Sequence, residues 1–177
     1  MIKLAAPIRA MLAATALAVV LAGCATTQRI SAAPDVHALL VSIRDDDRQA
    51  FDAHVDREAL EAQLQARLVD RARGADLAEG WKALGLVLSG PASRLAGDVL
   101  IRPDVFRAVA EYYGYRPGTP IPNALLVAGA LRALPDGRVC ATRRHRDACL
   151  MTFADEGGTW RLVGVDGDAA LLRTRTQ

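Results

Sequence analysis

The sequence predicts an α+β domain, with N-terminal helices packed on one face of a C-terminal antiparallel β-meander. Apolar residues between Val36 and Ala110 recur at three- and four-residue intervals, the period of amphipathic helices. From Leu131 to Val165 the pattern changes to short apolar runs separated by Pro135-Asp136-Gly137 and Gly157-Gly158, which mark hairpins. Helices first and strands afterwards segregate the helices to one side of a sheet. The 177 residues contain no repeat of about 20 to 50 residues and no sign of a second domain.

The chain opens on a segment outside that domain. Lys3 and Arg9 give a basic start, Ala10 to Val20 is apolar and uncharged, and Ala22-Gly23 precedes Cys24. A basic start, a short apolar core and a small-residue cleavage point form a secretory signal. The apolar run is shorter than the roughly 20 residues needed to span a bilayer. Leu21-Ala22-Gly23-Cys24 resembles the lipobox of bacterial lipoproteins. The resemblance implies cleavage before Cys24, diacylation of its thiol and acylation of the new N-terminus, making residues 1–23 a signal peptide. Two to three acyl chains, at about 0.8 kcal/mol per buried CH₂, exceed what stable anchoring requires. Ala25 is not the acidic residue that retains lipoproteins at an inner membrane, so the resemblance implies the outer membrane, facing the periplasm.

Without residues 1–23 the chain keeps 154 residues, with 20 basic and 20 acidic side chains. A domain of that size loses roughly two thirds of its unfolded surface on folding. A neutral domain argues against nucleic acid or an anionic membrane surface as an electrostatic partner. Membrane contact is expected through acyl chains alone. Lys82 is the only lysine after the signal, a bias that a GC-rich genome favouring arginine codons explains.

Residues 24–33 are expected to be a tether, because Thr, Gln, Ser and Ala follow Cys24 without hydrophobic period. If flexible, it has a span of about 15–18 Å. The single α+β domain then runs over residues 34–177. Val36, Leu39, Leu40 and Ile43 form a helical stripe, which Asp45-Asp46-Asp47 interrupts. Asp47 is placed to cap a short helix carrying Ala50, Phe51 and Val55. Asp56 is placed to cap the next, with Val55 and Leu60 as its hydrophobic staple. Leu60, Leu64 and Leu68 continue one face, Glu61, Gln65 and Arg67 the wet one. Arg71 and Arg73 suit the last turn before Gly74. Further helix is expected from Asp76 to Leu88, a break at Ser89-Gly90-Pro91, then a helical piece to about Leu100. Pro103 suits a first helical position, opening a helix through Val105, Phe106, Val109 and Ala110 that ends at Gly114. Arg116 to Pro122 is a loop. Strands are expected at 131–134, 138–143, 149–155 and 159–165. A two-residue turn at Gly157-Gly158 places Phe153 opposite Leu162 and Asp155 opposite Trp160.

The order of short helix, acidic break and short helix ending in His54-Val55-Asp56 leads into Arg57-Glu58-Ala59-Leu60-Glu61-Ala62-Gln63-Leu64. Together with Ile101-Arg102-Pro103-Asp104 and the closing Thr159-Trp160-Arg161-Leu162-Val163, it resembles a family of exported bacterial domains of unknown function. It also looks like the nuclear-transport-factor-2-like and cystatin-like α+β folds, in which helices pack into a curved sheet. The resemblance spans most of the chain after residues 1–23 and implies a fold; it offers no catalytic residues. Such folds host enzymes, binders and scaffolds alike.

Cys140 and Cys149, nine residues apart, flank an expected turn at Arg144-His145. In an exported, oxidising setting a disulfide is expected, directly opposed across the hairpin so that Ala141 faces Ala148 and Thr142 faces Asp147. Arg144-His145 suits a tight turn poorly, so a looser loop over 143–146 is expected. The bridge contributes about 2–3 kcal/mol by loop entropy. A metal site of Cys140, His145 and Cys149 is the sharper alternative, without a nearby fourth ligand; free thiols are the other. His37 and His54 suit surface or capping roles. Asp45-Asp46-Asp47 lacks the glycine and distal glutamate of a calcium loop, and Asp166-Gly167-Asp168 reads as a turn. Ser42, Ser89 and Ser93 have no context that activates a nucleophile. The Ser89-Gly90-Pro91 break and Tyr112, Tyr113 and Tyr115 are the best candidates to line a pocket, though core packing is the simpler role for each.

The sequence therefore points to a lipid-anchored periplasmic domain, non-enzymatic and without cofactor or metal, that binds a small ligand or an envelope protein. The alternative is an enzyme with a cryptic site in the cavity between helices and sheet.

Overall fold

A computed structural model describes residues 6–74, 97–112, 114–142 and 149–166. Helix α1 (Ala6–Asp45) is followed by α2 (Arg48–Ala53), α3 (Arg57–Gly74), α4 (Pro103–Tyr112) and α5 (Ala124–Ala130). Strands β1 (Leu131–Ala133), β2 (Val139–Thr142), β3 (Cys149–Glu156) and β4 (Thr159–Val165) form one antiparallel sheet in the order β1-β2-β3-β4. Helix α1 touches β1, β2 and β4, α4 packs on α1, and α3 lies against β4. The architecture is α+β.

The expected stripe of α1 is the centre of the core. Val36, Leu39 and Ile43 are buried against Phe51, Leu60, Val139, Phe153 and Leu162, with Leu40 partly buried beside them. The helix starts earlier than its hydrophobic period indicates. Residues 25–33, expected as a tether, are helical, and Ala32 and Ala33 are buried. Alanine gives no amphipathic signal, yet it has the highest helix propensity and lets another element approach closely.

The acidic break works as expected. Asp46 adopts φ 56°, and Asp47 caps α2 by accepting from the Ala50 N–H at 3.0 Å. Phe51 of α2 meets Phe106 of α4 edge-to-face, with ring centroids 5.3 Å apart. Asp56 caps α3 by accepting from the Ala59 N–H at 3.0 Å, and the staple residues Val55 and Leu60 are both buried. Val55 lies outside α2, however. It forms an isolated parallel bridge with Leu162 of β4. Pro103 is the first residue of α4. That helix ends in a Schellman motif: Gly114, at φ 96°, donates to Glu111 and Tyr115 donates to Ala110.

Of the two helical pieces expected between Asp76 and about Leu100, only residues 97–100, which are helical, fall among the described residues. Helix α5 is an element the periodicity misses. Asn123 caps it by accepting from the Leu126 N–H at 3.0 Å, and Val127 and Ala128 are its buried residues, in a helix that packs on α1.

In the sheet, Gly157 and Gly158 both have positive φ and close a two-residue turn. Phe153 faces Leu162 and Asp155 faces Trp160, as expected. A bulge between Thr152 and Phe153 then shifts the register, so that Thr152 faces Gly164. This reverses which backbone groups of β4 point outward. Before the bulge, Trp160 and Leu162 present theirs; after it, Val165 does.

Four of those outward groups are bonded to the helical layer. The Trp160 N–H donates to Asp35 Oδ2 on α1 at 2.8 Å. The Leu162 N–H donates to the His54 carbonyl at 2.9 Å, and its carbonyl accepts from the Asp56 N–H at 3.0 Å. The Val165 N–H donates to Gln63 Oε1 on α3 at 2.9 Å. Asp35→Ala is expected to lower the unfolding free energy by about 1.5–3 kcal/mol, the range for a hydrogen bond to a charged group. Asp35→Asn, which keeps an acceptor, should recover part of this. Urea denaturation checks it, and an alanine variant as stable as the parent contradicts the assignment.

Candidate functional site

The connector His54-Val55-Asp56 gathers most of the polar chemistry near the sheet. His54 ends α2, and its Nδ1 lies 2.9 Å from the Ala50 carbonyl. A carbonyl only accepts, so Nδ1 carries the proton. Nε2 lies 3.5 Å from Asp35 Oδ1, the carboxylate whose other oxygen holds Trp160. This histidine–carboxylate pair thus fixes a helix end and a strand edge together, the capping role expected for His54. His37 acts in a similar way. Its Nδ1 donates to the Pro122 carbonyl at 2.8 Å, tying the loop before α5 to α1. His145 lies outside the described residues.

A second polar group sits at the tip of the β3–β4 hairpin. Glu156 is near Asp56, with Arg161 Nη1 3.5 Å from its Oε2. Burial raises the Glu156 carboxyl above its ordinary range, the hydrogen bond and charge of Asp56 raise it further, and Arg161 pulls the other way. Asp56 is held there because it caps α3.

The other acidic candidates are structural. Arg44 grips Asp45 through two bonds of 2.7 and 2.8 Å, which holds that carboxyl below its usual range. Asp47 is the α2 cap. Asp166 pairs with Arg67 of α3; the rest of the Asp166-Gly167-Asp168 turn lies outside the described residues. Ser42 is buried, with its hydroxyl bonded to the Leu39 carbonyl at 2.7 Å. Ser89-Gly90-Pro91, Ser93 and Tyr113 lie outside the described residues. Tyr112 is exposed on α4, while the Tyr115 hydroxyl reaches the Thr119 carbonyl of its own loop.

Cys140 and Cys149 lie with their sulfurs at disulfide distance and their Cα atoms 5.5 Å apart. The expected direct opposition is corrected. Cys140 faces Thr152, Cys149 faces Thr142, and the ladder shifts between Ala141 and Thr142. The register is set by Val139 opposite Phe153, both fully buried, because a slip by one residue would turn that pair out of the core. The irregularity absorbs the mismatch and lets the sulfurs meet. The expected loop over 143–146 and its Arg144-His145 turn lie outside the described residues.

Sequence spacing does not single out Arg132. Facing Cys140 across β1 and β2, it places Nη2 3.8 Å from Cys140 Sγ and 3.5 Å from Cys149 Sγ. Among the described residues, no group of three or more His, Cys, Asp or Glu side chains is arranged to hold a metal ion. No described helix is long and apolar enough to cross a membrane. Compared with protein-family models, curated proteins and solved structures, the chain matches none.

Glu156 gives a pH dependence of defined sign. Its folded-state carboxyl titrates above the unfolded one, so the stability linked to its proton is complete below the unfolded value. That stability is lost as pH rises through the raised folded value. Relative to the parent, Glu156→Gln should therefore gain stability between pH 4 and pH 7. Urea midpoints at the two pH values check this; a relative loss over that interval contradicts it.

Proposed function

We propose that this chain is a lipoprotein anchored through acylated Cys24 in the outer membrane, with its α+β domain in the periplasm. The observation that carries the proposal is Leu21-Ala22-Gly23-Cys24 after a basic start and a short apolar run. The Cys24 side chain is not among those described, but the backbone around it supports a close attachment. Helix α1 is continuous through residues 24–33, and at 1.5 Å rise per residue the nine steps from Cys24 to Ala33 cover about 13 Å. By the likeness of residues 36–73 we group the domain with the exported family of unknown function.

We assign the domain a binding role, toward an envelope protein or a small ligand, and no catalytic one. Three features support this. Leu39, Phe51, Val139, Phe153 and Leu162 are fully buried together in one core. Both described histidines hold backbone carbonyls. On α5, Leu125 and Leu126 are 78% and 65% exposed, which favours a surface contact with an envelope protein over an enclosed ligand. Robust turnover of an ester, peptide, phosphate or glycoside substrate, abolished by one substitution, contradicts this reading.

The anchor has a direct test. Cys24→Ser is expected to accumulate as unprocessed precursor and to incorporate no fatty-acid label, while the parent protein incorporates it. Label retained by the variant contradicts the proposal.

A further inference from the structure

We infer that Cys140–Cys149 is a thiol–disulfide exchange site, able to accept two electrons from a dithiol, and that Arg132 stabilises the thiolate it releases. The inference stands on the surroundings of the two sulfurs and does not depend on the anchor at Cys24.

A bridge that served only to staple two strands would gain little from a cation. Sulfur in a neutral disulfide is a weak acceptor, whereas a thiolate is strongly stabilised by a neighbouring guanidinium. Arg132 Nη2 lies within 3.8 Å of both sulfurs, and its charge persists at every accessible pH. The site therefore favours the state reached after the S–S bond opens. The two cysteines also differ in access. Cys140 is fully buried, whereas Cys149, the first residue of β3, is half-buried.

These differences give the step a direction. One thiolate of a dithiol attacks Cys149 Sγ, forming a mixed disulfide there. The Cys140–Cys149 bond breaks, and its electron pair leaves on Cys140 Sγ beside Arg132. The second thiol of the donor, on losing its proton, attacks the donor sulfur of the mixed disulfide and displaces Cys149 as a thiolate. The donor leaves as its disulfide. Two electrons have passed to the cysteine pair, and the two protons released by the donor balance the two new thiol groups. A lower thiol pKa in the leaving group speeds such exchange and stabilises the reduced form. The fold keeps β2 on β3 through the Val139–Phe153 and Cys140–Thr152 rungs, so opening the bond leaves the sheet paired.

The test uses the full chain carrying Cys24→Ser, which leaves only these two cysteines. Reduction by dithiothreitol and equilibrium in glutathione buffers are measured for Arg132, Arg132→Lys and Arg132→Gln forms. Arg132→Gln is expected to slow reduction about tenfold and favour the disulfide about tenfold, or about 30 mV for this two-electron couple. Arg132→Lys, which keeps the cation, should stay within about threefold of the parent. Thiolate absorbance of the reduced parent should show one thiol titrating below the ordinary value of about 8.5. That measurement requires no variant, so it stands even if Arg132→Gln fails to fold. Reduction rates and equilibria unchanged in a folded Arg132→Gln, or both parent thiols titrating at or above the ordinary value, overturn the inference.

Discussion

The last strand of the meander has an outer edge, and the rest of the fold is arranged to close it. An open edge exposes a row of N–H and C=O groups, ready to pair with another chain. Here four bonds cover it, and none comes from another strand of the sheet. Asp35 takes the Trp160 N–H, the His54 and Asp56 backbone brackets Leu162, and Gln63 takes the Val165 N–H. The donors and acceptors come from α1, the α2–α3 connector and α3, in chain order along the strand. Each bond also joins the helical layer to the sheet at a fixed height. The apolar contacts of Leu39, Phe51 and Leu162 supply most of the burial, but they are non-directional. The edge bonds select the one register in which Leu162 points inward.

Much of this architecture is legible in the sequence because its signals are local. Asp47 and Asp56 stand one residue before helices and cap them. Val55 and Leu60 have the spacing of a staple. Gly157-Gly158 sets the β3–β4 register up to the bulge. The parts that escape sequence reading are those whose cause is distant or silent. Asp35 and Gln63 meet their strand partners across 125 and 102 residues, and no local pattern marks a polar side chain as an edge cap. The alanines of residues 25–33 are silent for a different reason. They draw no contrast between an apolar and a polar face, although they suit a closely packed helix. Helix α5 is too short for two full turns of period, and Asn123 after Pro122 is its one local cue.

The candidate chemistry divides along the same line. Identity and spacing make Cys140 and Cys149 visible as a pair, but the opposition inferred from a simple hairpin is wrong because the Val139–Phe153 contact sets the register. Arg132, which sets a cation beside both sulfurs, belongs to a different strand and cannot be associated with the pair by spacing. His54 and Asp35 look like a catalytic pair when viewed alone. Their bonds to Ala50 and Trp160 give them a structural role, and the same holds for Asp56 beneath Glu156. Among the described residues, Asp35, His54, Asp56 and Gln63 hold the helices against the sheet, while Leu125 and Leu126 of α5 are exposed and Cys149 is half-buried.

The central claim is that the N-terminal helices seal the β4 edge. Amide hydrogen exchange of the full chain, resolved by residue, tests it most directly. The account predicts that the Trp160, Leu162 and Val165 amides are protected to within about tenfold of the amides inside the β3–β4 ladder, since both open in the same unfolding event. Exchange of those three amides near the rate of an unstructured peptide, with the inner ladder still protected, would contradict it.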